Sequence, residues 1–352
     1  MLLQIDKQSD DNRRPDSAGE NNQHSLNSLR LMNILKNQCE KGDAKLSSLT
    51  HNQALELLFA QFLFQYYGKQ ALLTVDAIDE IIANFGRPEV RTFHANRFHS
   101  TLEQTMHHCT QAQSTADLLD RLALNRKEKA QLLELSTLLF THQLLQPKKN
   151  SFSNASAQLH ALELAELQIL SCANILYTAF LVKPKAESNL LQQAIFQEGL
   201  ESAFIAEHIA KQFAIAPVQL ALCSMVRSIN LLLIHEYCQD HSLIQESEDA
   251  YKCIDSPQVF IQVHQFISKM DYWLAKDIGL SDNILYVLKH AFVKKEKLPT
   301  ATKALFLTER CHLLFSLFKH GHLSLEALQL NMLQLGLRPE HFPQVYQSYT
   351  QH

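Results

Sequence analysis

The stretch Leu220-Ala-Leu-Cys-Ser-Met-Val-Arg-Ser-Ile-Asn-Leu-Leu-Leu-Ile234 is an apolar helical run interrupted by a single charge, Arg227. An unpaired guanidinium is costly to bury, because it loses its hydration without gaining a counter-charge. Arg227 must therefore find an acidic partner, reach water or line a site. We interpret it as the mark of a metal site that has been lost.

The composition around this stretch predicts an all-α protein. Only 8 of the 352 residues are glycine, and 46% are hydrophobic, which is enough to build a sizeable core. Leu, Ala, Gln, Glu and Lys dominate, and these residues favour helices. No alternating pattern typical of a strand extends for any length. One apolar stripe has helical spacing and is predicted to pack in the core. It runs through Leu190, Leu191, Ala194, Ile195, Ala203, Ala206, Ile209, Ala210 and Phe213.

The chain divides into three predicted parts. Residues 1–25 are polar and rich in Asp, Asn, Ser and Gln, so we expect a disordered tail. Residues 26–99 form an N-terminal helical region, and residues 100–350 form the main helical domain, with breaks such as Ala216-Pro217 between its helices.

Charge and cysteine content narrow the class of protein. A formal net charge of -4 argues against a general nucleic-acid binder. The seven cysteines include no C-x-x-C pair and are expected to be reduced thiols. No signal segment opens the chain, and no apolar run reaches the roughly 18 residues that could cross a membrane. We expect a cytoplasmic protein that binds neither membranes nor nucleic acid.

The common catalytic and phosphate-binding motifs are absent from the sequence. It contains no Walker or Rossmann fingerprint, no G-x-S-x-G and no H-E-x-x-H. His235, Cys238 and His241 have the spacing of a weak metal cluster on one helical face, although structural zinc normally needs four ligands. The basic segment 289–297 could contact a phosphate, and its simpler interpretation is a solvated helix end.

Several segments share their order and spacing with one helical family. The opening helices 116–136 are followed by Phe196-Gln-Glu-Gly199, which stands where the family has an aromatic residue and then His-Ser. Ser224-Met-Val-Arg-Ser-Ile-Asn230 is similar to a G-L-L-H-D-I-G segment, and Leu305-Phe-Leu-Thr-Glu-Arg310 to a closing helix that carries an aspartate. Over residues from about 115 to 345, the chain resembles the HDOD domain, a helical relative of the bacterial HD and HD-GYP phosphohydrolases.

This resemblance implies a degenerate active site. An HD hydrolase uses two histidines and two aspartates to hold a divalent ion that activates water. By the resemblance, three of these four positions hold a glutamate, an arginine and a serine, Glu309 remains at the fourth, and His290 is a further candidate ligand. We expect no catalytic metal, no cofactor and no enzymatic activity. The degenerate positions implied by the resemblance are Glu198, Gly199, Arg227, Ser228, His290 and Glu309.

The resemblance also implies how these positions are arranged. Glu198 and Arg227 would face each other across the old metal pocket, with the guanidinium in the place of the cation and Glu309 joining the pair. Such a pair would be bidentate and partly buried, so that removal of one partner would be destabilising.

Three functions are compatible with these expectations. The first is a non-enzymatic bacterial signal-transduction protein that regulates another signalling protein by binding it. The second is a sensor that binds a nucleotide or phosphate in the old pocket, near Arg227, Lys289 and His290. The third is a divergent metal-dependent phosphohydrolase that uses His235, Cys238, His241 or His290.

Overall fold

The computed structural model is helical throughout the part of the chain that it describes. No strand occurs there, so the prediction of an all-α fold is confirmed. The predicted tail 1–25 and most of the region 26–99 lie outside the described residues. The described residues are 80, 83–84, 86–141, 155–180, 189–240, 269–291, 298–319 and 323–337.

The helices are numbered in chain order. Residues 269–277 are also helical and are called the 269–277 segment. None of these helices is long and apolar enough to span a membrane. Their bounds are α1 Pro88–Ala95, α2 His99–Gln111, α3 Thr115–Leu122, α4 Arg126–Thr141, α5 Ala155–His160, α6 Leu164–Phe180, α7 Asn189–Gln212, α8 Pro217–Asp240, α9 Asp282–Ala291, α10 Thr300–Lys319 and α11 Leu325–Gln334.

Local sequence signals explain where several helices begin. Pro217 is the first residue of α8, a position where its missing N–H costs nothing. The Ser114 hydroxyl accepts a hydrogen bond from the backbone of Asp117 and caps α3. Before α4, the Asn125 side chain accepts from the Glu128 backbone, and the Glu128 carboxylate accepts from the Asn125 backbone. This reciprocal pair is a capping box.

The core is built around α7 and α8, which make the most extensive helix contact in the described structure. Helix α10 packs against both, and α6 and α9 also contact α8. The stripe predicted as core is confirmed where its side chains are described, apart from Phe213, which is half-buried. The buried members are Ile195, Ala203, Ala206, Ile209 and Ala210. Cys109, Cys172, Cys223 and Cys311 are free and buried.

Charged side chains attach α1 and its C-terminal flank to the rest of the protein. Arg91 donates from Nε to Asp277 Oδ2 at 2.7 Å, and its guanidinium lies 4.8 Å from the centre of the Trp273 ring. Arg97 forms a two-pronged hydrogen bond with Glu236 of α8, at 2.8 and 2.7 Å. These contacts place α1 beside the helical segment 269–277 and the C-terminal half of α8.

Candidate functional site

Arg227 lies midway along α8 and contacts two carboxylates from other helices. Its Nε is 3.2 Å from Asp271 Oδ2, and its Nη1 is 3.4 Å from Glu309 Oε1. The side chain is 27% exposed, so the guanidinium is only partly withdrawn from water. The arginine that interrupts the apolar run is therefore compensated by acidic partners from the 269–277 segment and α10.

Asp271 is the buried member of this group. Asn230, three residues after Arg227 on α8, donates a hydrogen bond from Nδ2 to its Oδ1. Burial raises the pKa of Asp271 to about 6, because the attraction of Arg227 and the Asn230 hydrogen bond only partly offset desolvation and the charge of Glu309 adds to it. The cluster thus places two carboxylates against one guanidinium.

Sequence reasoning missed Asp271 and Asn230. Asn230 stands one helical turn after Arg227 in the same apolar run, and that spacing is a signal that could have identified it. Asp271 lies 44 positions from Arg227 along the chain, and no motif marks it. Only the packing of the 269–277 segment on α8 brings its carboxylate to the guanidinium.

Glu198 does not pair with Arg227, so that part of the predicted arrangement is wrong. Its Oε2 is 2.9 Å from His312 Nε2 and accepts a hydrogen bond from Ser316 Oγ at 2.8 Å. His312 and Ser316 follow Glu309 by about one and two turns of α10. The Arg227 and Glu198 groups therefore use successive turns of α10.

Burial and neighbouring charges act in opposite directions on Glu198. Burial alone would raise its pKa, but the hydrogen bond and charge of His312, the charge of Lys319 and the Ser316 hydroxyl together hold the pKa below its ordinary value. Lys319 at the end of α10 also lies 2.6 Å from Oε1 of the buried Glu201. Glu198 and Glu201 of α7 therefore face a basic and polar side of α10.

Gly199 and Ser228 come into direct contact between α7 and α8. A Cβ added at Gly199 would lie 2.5 Å from Ser228 Oγ and 2.6 Å from Ser228 Cβ. Glycine at this position lets the two helices approach more closely than a side chain would allow. These two predicted positions therefore close an interhelical contact and leave no open space between them.

His290 lies apart from the other predicted positions. It is near the C-terminal end of α9, where its Nδ1 is 2.8 Å from the Tyr286 carbonyl and its ring centre is 4.2 Å from that of Tyr286. No hydrogen bond or ring contact of His290 within the described structure reaches the other five positions. The side chains of His235 and Cys238, and all of His241, lie outside the described residues.

A small cavity of about 180 Å³ opens beside the first half of α8. Its described lining is mainly apolar, and Gln219 and Asn283 supply polar groups without any basic side chain. Phosphate recognition normally uses Arg, Lys or converging backbone N–H groups, so this lining suits a small apolar group better than a phosphate. The full lining is Ile215, Gln219, Leu220, Cys223, Asn283, Ile284, Tyr286, Val287 and Ala301.

Comparison with known proteins gave no match: no family model, no curated protein and no solved structure is similar to this chain. The HDOD resemblance therefore depends on the sequence segments quoted above.

Proposed function

We propose that this chain is a non-enzymatic signal-transduction protein of the degenerate HD type, which acts by binding another signalling protein. The observation that carries the proposal is the position of Arg227, whose guanidinium lies between Asp271 and Glu309. The Arg227 guanidinium, a cation supplied by the chain itself, thus compensates two acidic groups. It does so at the position where the resemblance expects a metal ligand.

The chemistry of this group supports a non-catalytic role. An arginine stays protonated and offers no lone pair, so Arg227 cannot ligate a metal ion. The direct contact of Gly199 with Ser228 also fills the space between α7 and α8 next to it. Metal-assisted hydrolysis needs an open position for water and substrate. Neither the Arg227 group nor the Gly199–Ser228 contact provides one.

Hydrolysis and partner binding test the proposal together. The purified full chain is assayed with manganese on a generic phosphodiester and on cyclic dinucleotides, and tagged protein is recovered from its source cells after light crosslinking. We expect no turnover, and a protein partner that rebinds as a purified component. Turnover that Glu309→Gln abolishes would overturn the proposal, as would the absence of any partner that rebinds.

A sensor that binds a nucleotide or phosphate is the alternative function. Arg227 is its main support, because the guanidinium is 27% exposed and remains positively charged. Against it, two carboxylates already engage that guanidinium, and the described lining of the nearby cavity lacks a basic side chain. Calorimetric titration with cyclic dinucleotides would favour the sensor only if wild type binds and Arg227→Ala does not.

A further inference from the structure

Helices α7 and α10 bring two glutamates and one histidine together inside the protein. Glu198 and Glu201 come from α7 and His312 from α10, and they are 4%, 1% and 9% exposed. Each offers one oxygen or ring nitrogen such that the three atoms all lie within 4.8 Å of one another. Ligand atoms around a divalent ion lie at similar separations, because metal–ligand bonds of about 2.0 to 2.2 Å set them roughly 3 to 4.4 Å apart.

A second observation points to a ligand at this cluster. Oε1 of Glu198 is buried and accepts no hydrogen bond from any described group, although Oε2 of the same carboxylate has both His312 and Ser316. Buried polar atoms are nearly always satisfied by a protein group, a water or an ion. The unsatisfied oxygen belongs to a carboxylate that is already within reach of the other two ligand groups.

The charge of the cluster also favours a cation. Two carboxylates are buried on one face of α7, and the ammonium of Lys319 contacts Glu201, with Nζ 2.6 Å from Oε1. The Lys319 side chain is 20% exposed and belongs to the last residue of α10, so its ammonium has a route to water. Lys319 can therefore leave Glu201 when another cation enters.

We propose that Glu198, Glu201 and His312 form a divalent metal site that joins α7 to α10, with the ammonium of Lys319 occupying part of it when no metal is bound. The site goes beyond the proposed function and does not depend on it. It shares Glu198 with the degenerate set, but its other two ligands, Glu201 and His312, are not members of that set.

The donor set indicates which ions fit. One imidazole nitrogen and two carboxylate oxygens suit Zn²⁺, Mn²⁺ or Fe²⁺ better than Mg²⁺, which prefers all-oxygen ligands and retains several waters. Ser316 supports the site from outside, because its hydroxyl donates to Glu198 and fixes that carboxylate. Partners of this kind usually change metal affinity by about 10- to 100-fold when they are removed.

The test measures metal binding to the full chain after chelator treatment. Zn²⁺ and Mn²⁺ are titrated by calorimetry with elemental analysis of the complex, and Co²⁺ is used to record the visible spectrum. We expect one ion per chain at this site and a cobalt spectrum without a thiolate charge-transfer band, since the ligands are nitrogen and oxygen. A thiolate band would assign the ion to cysteines and overturn the proposal.

Variants assign the ion to its ligands. Glu201→Gln and His312→Gln each remove a proposed ligand and are expected to weaken metal binding by at least about tenfold. Loss of a group that only supports a ligand already has an effect of this size. Glu207→Gln is the matched control, because Glu207 is a buried glutamate of the same helix that pairs with Lys211 and His208 instead. Glu207→Gln should leave the affinity unchanged. Equal metal affinity of the wild type and these three variants would overturn the proposal.

Lys319→Met provides a test in the opposite direction, which misfolding cannot imitate. Methionine keeps most of the aliphatic length and removes the ammonium that competes for Glu201. Binding should tighten by about tenfold or more, in line with the removal of a charge-assisted hydrogen bond. An unchanged affinity would overturn the proposal even if the ligand variants fail to fold. The hydrolysis and partner assays above do not depend on this result, so the two proposals can fail separately.

Discussion

The buried acids Asp271 and Glu198 have pKa values shifted in opposite directions because their partners differ. Burial prevails at Asp271 and raises its pKa to about 6, whereas His312, Lys319 and Ser316 outweigh burial at Glu198 and lower its pKa. Glu198 therefore contributes stability above its unfolded pKa, and that contribution is lost as pH falls through its folded pKa. Asp271 acts in the opposite sense and destabilises the fold once it is ionised.

Arg227→Ala is expected to lower the free energy of unfolding by about 1 to 3 kcal/mol. The variant leaves the buried Asp271 without its nearest cation, and the partial exposure of Arg227 keeps the loss below that of a fully buried pair. Urea denaturation at pH 7 measures it.

Arg121→Ala is the matched control for that measurement. Arg121 pairs with Asp117 one turn away on α3, and both side chains are about one third exposed. Such surface pairs contribute little to stability, because solvent screens their attraction, so the control should be nearly neutral. Equal losses in the two variants would contradict a special role for the Arg227 pair.

Asp271→Asn tests the raised pKa through its pH dependence. The folded pKa of about 6 lies above the ordinary value of 3.8, so the folded state holds a proton that the unfolded state has released at intermediate pH. Wild-type stability therefore falls as pH rises from about 4 to 6, and the variant lacks this loss. Relative to wild type, Asp271→Asn should gain up to about 3 kcal/mol between pH 4 and pH 7.

Urea denaturation across this pH range measures the difference. The exposed Asp282 of α9 provides the control Asp282→Asn, which corrects for the general effect of removing an acid. A difference between Asp271→Asn and wild type that does not vary with pH would contradict the raised pKa.

At the scale of the elements, the approach of α7 to α8 depends on one glycine. Gly199 is buried in the middle of α7, where an alanine would ordinarily improve helix stability by about 1 kcal/mol. Here the contact with Ser228 leaves no space for a methyl group, so the helices would have to separate. The largest helix contact of the described structure is thus sensitive to a single carbon atom.

Gly199→Ala is expected to destabilise the protein by about 1 to 3 kcal/mol, because the added Cβ overpacks the interface. The double-mutant cycle with Ser228→Gly isolates the cause. In the Ser228→Gly background the same substitution should be neutral or stabilising, since the atoms that it would meet are gone. Thermal and urea unfolding measure the cycle, and a stabilising Gly199→Ala in the wild-type background would contradict the close contact.

At the scale of the whole molecule, buried and half-buried charges hold α1 on the main helical body. Arg91 is 6% exposed, and it joins Asp277, the Gly86 carbonyl and the Trp273 ring. Trp273 is the only tryptophan in the chain, so all tryptophan fluorescence comes from the ring that Arg91 contacts. Arg91 belongs to the predicted N-terminal region, and Asp277 and Trp273 belong to the predicted main domain. Their contacts make the two regions neighbours.

Arg91→Ala is expected to loosen α1 by about 2 to 3 kcal/mol, because Asp277 loses a mostly buried partner and Trp273 loses its cation. Hydrogen exchange should accelerate in α1 while the amides of α7 and α8 keep their protection, and the tryptophan emission should shift. Arg97→Ala removes a more exposed pair with Glu236 and should have a smaller effect. Equal acceleration throughout the core would show that Arg91 supports the whole fold instead.

The sequence by itself determined the helical class, the starts of several helices and the buried stripe of α7. These features depend on nearby residues: helical spacing selects the face that avoids water, and Pro217 or Ser114 act within one turn of their own positions. The sequence also established that Arg227 needed compensation, since a charge in an apolar run is costly anywhere.

Only the tertiary structure decided which groups compensate each other. Asp271 reaches Arg227 across 44 positions, and Ser316 reaches Glu198 across 118. Helical periodicity places side chains on a face but leaves the rotation and offset of each helix against its neighbours undetermined. A shift of about one turn along α10 separates the partner of Arg227, Glu309, from the partner of Glu198, His312. That shift follows from how the helices pack, which no local pattern encodes.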